Sequence, residues 1–447
     1  MKLADILACL GMAAALIVYC GPTDVRAGSE RHFFTLERSI EQALERNWNV
    51  KAKEERINQE EAKKAQAKAD FLPKFSTSYS YTRLDDAKRS KPVELGQGMT
   101  IPGSQLTLKD NYQWKATVAQ PVFRGFALVS NYELAKLGID QAELELEQEK
   151  LDLALEAKQA YFGVLEADRA VEVAKKAVES LESHVKVAKS FYQEGLIPIN
   201  DLLKAEVELS NAEHDLIKAE NAAELGRASF NTVLTRPLEA PVELKDVYAF
   251  VPAELRLEDY VDRAMDVRPE LKAIEVRMDE IRQQERLARS KYYPDISLQY
   301  DYIKEGDDLY PDGSEVHEGN RWQAMAVLSW TFFEWGKTSS AVDEVKGLER
   351  ELVQVRAAVK DGISLEIKQA YLDLFEAEKN IPTTRKAVEQ AEENLRVSRE
   401  RYEAQVTTST EVLDAQALVT RVRTNYYRAL YSHHLAKARL LRAVGTY

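Results

Sequence analysis

The chain has 447 residues, 45% of them hydrophobic and 30% charged, with 61 Lys and Arg against 74 Asp and Glu. The net charge of −13, with basic residues scattered among more numerous acidic ones, excludes nucleic-acid binding, which needs a basic face to neutralise phosphates. Only two cysteines are present, Cys9 and Cys20, and no Pro/Gly/Ser-rich linker divides the chain into tandem domains.

Residues 1–27 have the composition of a signal peptide. Lys2 precedes an apolar run from Ile6 to Val18, and Val25-Arg26-Ala27 offers small residues where a signal peptidase cuts, after Ala27. Cleavage there removes both cysteines and with them thiol and disulfide chemistry. A lipid anchor on Cys20 is the rival reading, opposed by Tyr19 where a lipoprotein signal wants a small residue. No stretch approaches ~20 consecutive apolar residues, so any membrane crossing falls to strands.

The next signal is an internal repeat. Residues 43–81 overlie 264–302 without a gap, matching Ala43, Lys51, Ala52, Ala67, Pro73, Ser76, Tyr79 and Tyr81 to Ala264, Lys272, Ala273, Ala288, Pro294, Ser297, Tyr300 and Tyr302. Further on, Lys158-Gln159-Ala160-Tyr161 recurs as Lys368-Gln369-Ala370-Tyr371, and Tyr192, Leu203 and Ala205 fall on Tyr402, Leu413 and Ala415. The chain is two copies of one unit of roughly 210 residues, predicted to span 28–234 and 257–447 with a connector at 235–256.

Within each unit the hydrophobic period changes twice. Leu36 to Phe71 and Leu257 to Tyr293 carry apolar residues at helical spacing and end before Pro73 and Pro294. Period-two alternation follows, predicting strands at about 73–84 and 111–121 in the first unit and about 294–303 and 322–331 in the second. Each has one apolar and one polar face, as in Ile296, Leu298, Tyr300 and Tyr302 against Ser297, Gln299 and Asp301, with the length and dyad pattern of transmembrane-barrel strands. A soluble sheet with one buried face would alternate likewise. The aromatics Phe71, Phe123, Phe126, Tyr292, Tyr293, Trp330, Phe332, Phe333 and Trp335 favour the membrane, gathering at the strand-helix junctions as an interfacial girdle would. The connections Leu84 to Asp110 and Lys304 to Arg321 are then external loops. Four strands cannot close a barrel, and an open edge finds no hydrogen-bond partner in lipid, so several copies are needed.

Helical hairpins complete each unit. Ala127 to Gln193 and Thr338 to Ala404 are rods with heptad-like apolar spacing, on the order of 100 Å long at 1.5 Å per residue. They return through Ile199 to Leu234 and Thr410 to Val444, after turns at Gly195 to Pro198 and Gln405 to Thr408. The predicted fold is thus mainly α with a β-barrel, built from a duplicated β-hairpin and long α-helical hairpin.

This order of elements, with the stretch Leu36 to Asn47 and the two turn segments Tyr192 to Asp201 and Tyr402 to Ala415, resembles the TolC-like outer-membrane efflux proteins over essentially the whole mature chain. The resemblance implies a homotrimer: a twelve-stranded barrel in outer-membrane lipid, continued by a twelve-helix periplasmic tunnel. It implies docking of a periplasmic adaptor (membrane fusion protein) and an inner-membrane pump at the hairpin tips, Gly195 and Leu196 on one and Gln405 and Val406 on the other, and no cofactor.

By the same resemblance, Glu411 and Asp414 match acidic residues that ring the closed periplasmic entrance. One turn apart, they would present six carboxylates around a three-fold pore, which favours cations and invites divalent block. The bland alternative is an ordinary acidic helix start. The family's closed state is also latched by a tyrosine and an arginine bonded to a threonine-aspartate pair. Tyr402 and Asp201 match the tyrosine and the aspartate, whereas Thr407 stands in place of the arginine and Asn200 in place of the threonine, which predicts a more loosely held entrance.

Enzyme signatures are missing. There is no HExxH and no Gly-x-Ser-x-Gly, and Gly336-Lys337-Thr338 has Thr331 where a phosphate loop needs its first glycine. His433 and His434 are expected on a helix surface. The competing non-catalytic reading is a periplasmic coiled-coil scaffold or adaptor, which has no use for four lipid-length alternating strands.

Overall fold

The computed structural model describes residues 33–94, 100–247, 256–314 and 318–447. The expected signal peptide with Cys9 and Cys20 lies outside these residues, as do residues 248–255 of the connector.

Each unit opens with a pair of short helices where the periodicity predicts one long one. Helix α1 (Leu36–Arg46) starts at Thr35, whose hydroxyl accepts the Arg38 N–H at 3.3 Å. It stops at Asn47, whose extended ψ of 137° breaks the helix and whose carboxamide oxygen caps α2 (Trp48–Ala69) by accepting the Asn49 N–H at 2.8 Å. Asn47 Nδ2 also donates to the Val233 carbonyl, 186 residues away, so the break is held by tertiary structure. In the second unit the corresponding break separates α5 (Leu257–Val267) from α6 (Pro269–Arg289). Here Pro269 forces it locally, because a proline suits the first helical position but excludes helical backbone at Arg268 before it.

Strands follow. In chain order these are β1 (Lys74–Arg83), the short pair β2 (Val93–Glu94) and β3 (Thr100–Ile101), β4 (Asp110–Arg124), β5 (Asp295–Gly306) and β6 (Asn320–Ser329). β1, β4, β5 and β6 form one antiparallel sheet in that order, so the two units join through β4 and β5. The two outer strands of this sheet, β1 and β6, are exposed along their full length. β4 runs longer than its alternation suggests, and its register with β5 shifts between Pro121 and Phe123. Pro121 has no N–H to give a central ladder, and a bulge accommodates it.

The sheet faces differ chemically. On the polar face the Asp301 carboxylate is buried, meeting Lys115 Nζ at 2.9 Å, Thr117 Oγ1 at 2.7 Å and Gln323 Nε2 at 2.8 Å. Glu305 is met there by Arg321 at 2.9 Å and by the Gln113 carboxamide. The other face leaves Leu298, Tyr300, Trp322 and Leu328 exposed. At the strand-helix junction Phe123, Phe126 and Tyr293 stack edge to face, and Trp335 is 90% exposed.

Both strands pass into helices through two successive left-handed residues, Gly125-Phe126 and Trp335-Gly336. Gly125 is obligatory, since a Cβ there would lie 2.2 Å from the Ser290 carbonyl oxygen. Beyond the turns run α3 (Ala127–Gln193), α4 (Ile199–Val233), α7 (Lys337–Glu403) and α8 (Ser409–Val444). The 67 residues of α3 and of α7 give rods of about 100 Å.

The hairpins are zipped by buried small and branched residues. Near the helix-pair end, Ala157, Tyr161, Phe162, Val164 and Phe230 pack with Ala43 and Val50, and Tyr161 Oη donates to the Phe34 and Lys245 carbonyls at 3.0 and 2.5 Å. Ile363, Ile367, Leu374 and Leu440 form the equivalent core of the second unit. A third core sits at the far end, around Leu395, Tyr402, Val412 and Val419. Among the described residues, no helix is long and apolar enough to cross a membrane.

Candidate functional site

The far ends of the two hairpins carry the residues singled out by sequence. Each turn has the same hydrogen-bond pattern. Leu196 N–H donates to the Phe191 carbonyl and Gly195 N–H to that of Tyr192, and Val406 and Gln405 do the same to Arg401 and Tyr402, all at 2.8–2.9 Å. This is a Schellman closure, which requires left-handed backbone at Gly195 (φ 71°) and at Gln405 (φ 58°). Leu196 and Val406, one residue on, are exposed apolar tips.

Glu411 and Asp414 lie exposed in the first turns of α8. Glu411 is pinned to the turn, accepting from Arg401 Nη1 at 3.2 Å and from the Thr407 hydroxyl. Thr407, standing where the resemblance puts an arginine, is thus committed to its own hairpin. Asp414 makes no hydrogen bond or ion pair among the described residues.

Tyr402 is 3% exposed, its ring 4.9 Å from His184 and 5.5 Å from Phe191. Burial raises the pKa of its phenol, with a smaller contribution from the Asp201 charge. Asp201 is therefore within electrostatic range, but no hydrogen bond joins the two side chains.

The same region brings together residues that the sequence reading passed over. Ser409 Oγ and His184 Nε2 are 2.8 Å apart and buried. Burial, reinforced by the nearby Arg399 charge, pushes His184 down to about 4, so the ring is neutral. Arg399 Nη2 donates to Gln416 Oε1 at 3.2 Å and to the Ser180 hydroxyl, which itself bonds Gln416. One signal was available. His184 falls in the buried stripe Val173, Ala177, Leu181, Ala188 of α3, where a polar residue needs a partner.

His433 and His434 correct an expectation. His433 is not on the surface but 1% exposed, its Nε2 4.0 Å from Glu378 Oε1 on α7. His434 is partly buried and stacks on Phe162 with ring centroids 5.1 Å apart, and burial pushes it down to about 4. Helix α8 packs against α3 as well as α7 here, so both neighbouring positions face protein.

The fold thus joins a sheet with one exposed apolar face to paired rods far longer than a globular domain holds. The outer membrane efflux protein family model matches residues 39–233 and 260–446, and the chain belongs to that family. It is an exit duct of the outer membrane that extends into the periplasm. Solved structures share the fold. A membrane protein from Pseudomonas aeruginosa superposes with a TM-score of 0.77 at 17% identity, covering 92% of this chain and 90% of that one. The Campylobacter jejuni CmeC outer membrane channel gives 0.77 at 17% identity, covering 92% and 85%. VceC of Vibrio cholerae gives 0.73 at 18% identity, covering 92% and 96%. A search of curated proteins finds no sequence match.

Proposed function

We propose that three copies of this chain close one barrel and one tunnel, passive and gated at the hairpin tips. The carrying observation is the pair of open edges. β1 and β6 bound a four-stranded sheet whose apolar face is exposed, and such edges are tolerable in lipid only if each β1 pairs with the β6 of a neighbour, making twelve strands from three copies. Exposed apolar side chains along the hairpins, Leu203, Val207, Ile217 and Leu225 on α4 and Leu365, Leu372 and Phe375 on α7, support a ring of hairpins in contact.

At the tips, Glu411 and Asp414 from three copies place six carboxylates around the entrance, selecting cations and binding divalent ions. The exposed Leu196 and Val406 are the docking points for a periplasmic adaptor, which couples the duct to an inner-membrane pump. Tyr402 and Asp201 contribute packing and charge to the closed tip.

The test is single-channel conductance of the purified protein in a planar bilayer, comparing wild type with the double variant Glu411→Ala, Asp414→Ala across magnesium concentrations. Cation-selective openings blocked by magnesium, with block lost in the double variant, are expected. Block that persists in the double variant would remove the carboxylates from the gate.

A further inference from the structure

Resting on the channel reading above, we propose that the closed tip is held by a clamp of Arg399, Ser180 and Gln416, seconded by His184 and Ser409, in place of the tyrosine-aspartate and arginine-threonine latch. Three observations carry this.

The first is that the family latch is unmade. Thr407 and Glu411 are bonded to each other within α8 and its turn, and among the described residues the Asp201 side chain makes no hydrogen bond or ion pair, its backbone N–H alone donating to the Pro198 carbonyl at 3.1 Å. The second is topology. Ser180 and His184 stand on α3, Arg399 on α7, Ser409 and Gln416 on α8. Arg399 to Ser180, Ser180 to Gln416 and His184 to Ser409 therefore cross from one hairpin to the other, whereas Arg399 to Gln416 stays within the second. Among the described residues, they are the hydrogen bonds that join the last turns of α3, beyond Lys176, to α7 or α8. Any swing of the second hairpin away from α3 breaks all three together and leaves the fourth intact.

The third is the charge state of Arg399. Its guanidinium is partly buried and bonded to two neutral acceptors, with no carboxylate in hydrogen-bond contact; burial lowers its pKa and only Glu403 opposes this. A cation so placed is satisfied in the closed arrangement and gains water when the hairpins part. The clamp is consequently matched to a gate that must open: tight enough to set a resting state, without the strong ion pair that would lock it. Arg399 stands about one turn before the end of α7 at Glu403, whereas Thr407 lies beyond it in the turn that leads to α8.

The decisive experiment records resting conductance of the intact protein in planar bilayers for wild type, Arg399→Ala, Gln416→Glu and the control Arg396→Ala. Arg396 is exposed and bonded to Glu393 and Glu400 on its own helix, so its removal should leave conductance unchanged. Arg399→Ala should raise resting open probability at least about tenfold, equivalent to about 1.4 kcal/mol. Gln416→Glu should lower it below wild type, because a carboxylate gives Arg399 a charge-assisted bond; this opposite shift is not expected of generic destabilisation, and it carries the test should Arg399→Ala fail to assemble. Wild-type-like conductance in both variants, with magnesium block still sensitive to Glu411 and Asp414, would refute the clamp and leave the gate standing. No conductance from any protein would overturn the channel reading, and the clamp with it.

Discussion

Arg268 stands at the break between α5 and α6 and is 3% exposed, so its removal should be among the costliest single changes in the chain. Its guanidinium binds Glu270 through Nε at 3.1 Å and Nη2 at 2.8 Å, and Glu366 on α7 through Nη1 at 2.6 Å. Burial disfavours the charge, but the two carboxylates outweigh it and raise the pKa. Breaking a buried pair by deleting one partner costs about 3–5 kcal/mol. Arg442 lies within 3.5 Å of Glu270 and 3.2 Å of Glu366, and Glu366 is 43% exposed, both of which place Arg268→Ala at the low end, about 3 kcal/mol. Thermal melting followed by helical circular dichroism should show a fall of about 3 °C. Arg268→Lys, which keeps the charge but loses the two-pronged grip, should recover about half. A loss below about 1 kcal/mol for Arg268→Ala would show that the cluster is a surface ion pair in effect and refute the reasoning.

Two other measurements probe the tips. Gln405 occupies left-handed backbone that Gly195 fills in the first unit, so Gln405→Gly should stabilise the second turn and Gly195→Gln destabilise the first, each by about 1 kcal/mol in melting experiments. Equal effects of one sign would contradict the shared geometry. His184 titrates at about 4 in the folded chain against an ordinary 6.5. Its neutral form therefore contributes stability that is complete above pH 6.5 and lost as pH falls toward 4, up to about 3 kcal/mol. Comparing melts of wild type and His184→Gln between pH 7 and 4 should show the variant with the flatter profile, and parallel profiles would exclude a buried neutral ring.

How far the fold was legible depends on whether the deciding contact was local. Alternation at Ile296 to Tyr302 marks a strand because neighbouring side chains reveal both faces, and the strand found there runs Asp295–Gly306. The break at Arg268 is also local, set by Pro269, although the helical period continues across it. The break at Asn47 is only partly so, since its carboxamide both caps α2 at Asn49 and donates to the Val233 carbonyl on another helix. The buried setting of His433 depends on α8 packing on both hairpins, which periodicity along one helix does not disclose. Arg399 and Ser180 are 219 residues apart, and nothing in either heptad pattern pairs them. Charged residues such as Glu411 stood out by type, whereas the serine and glutamine that meet Arg399 resemble many others.

The duplicated unit has a consequence for how such a wall can move. Three identical subunits with single hairpins would make a ring of identical staves, obliged to tilt together or not at all. In the trimer proposed above, writing the hairpin twice in one chain would give staves of two kinds in alternation, free to diverge residue by residue, as the glycine at one tip and the glutamine at the other already have. On the proposed gating, one kind would then serve as fixed frame while the other serves as shutter.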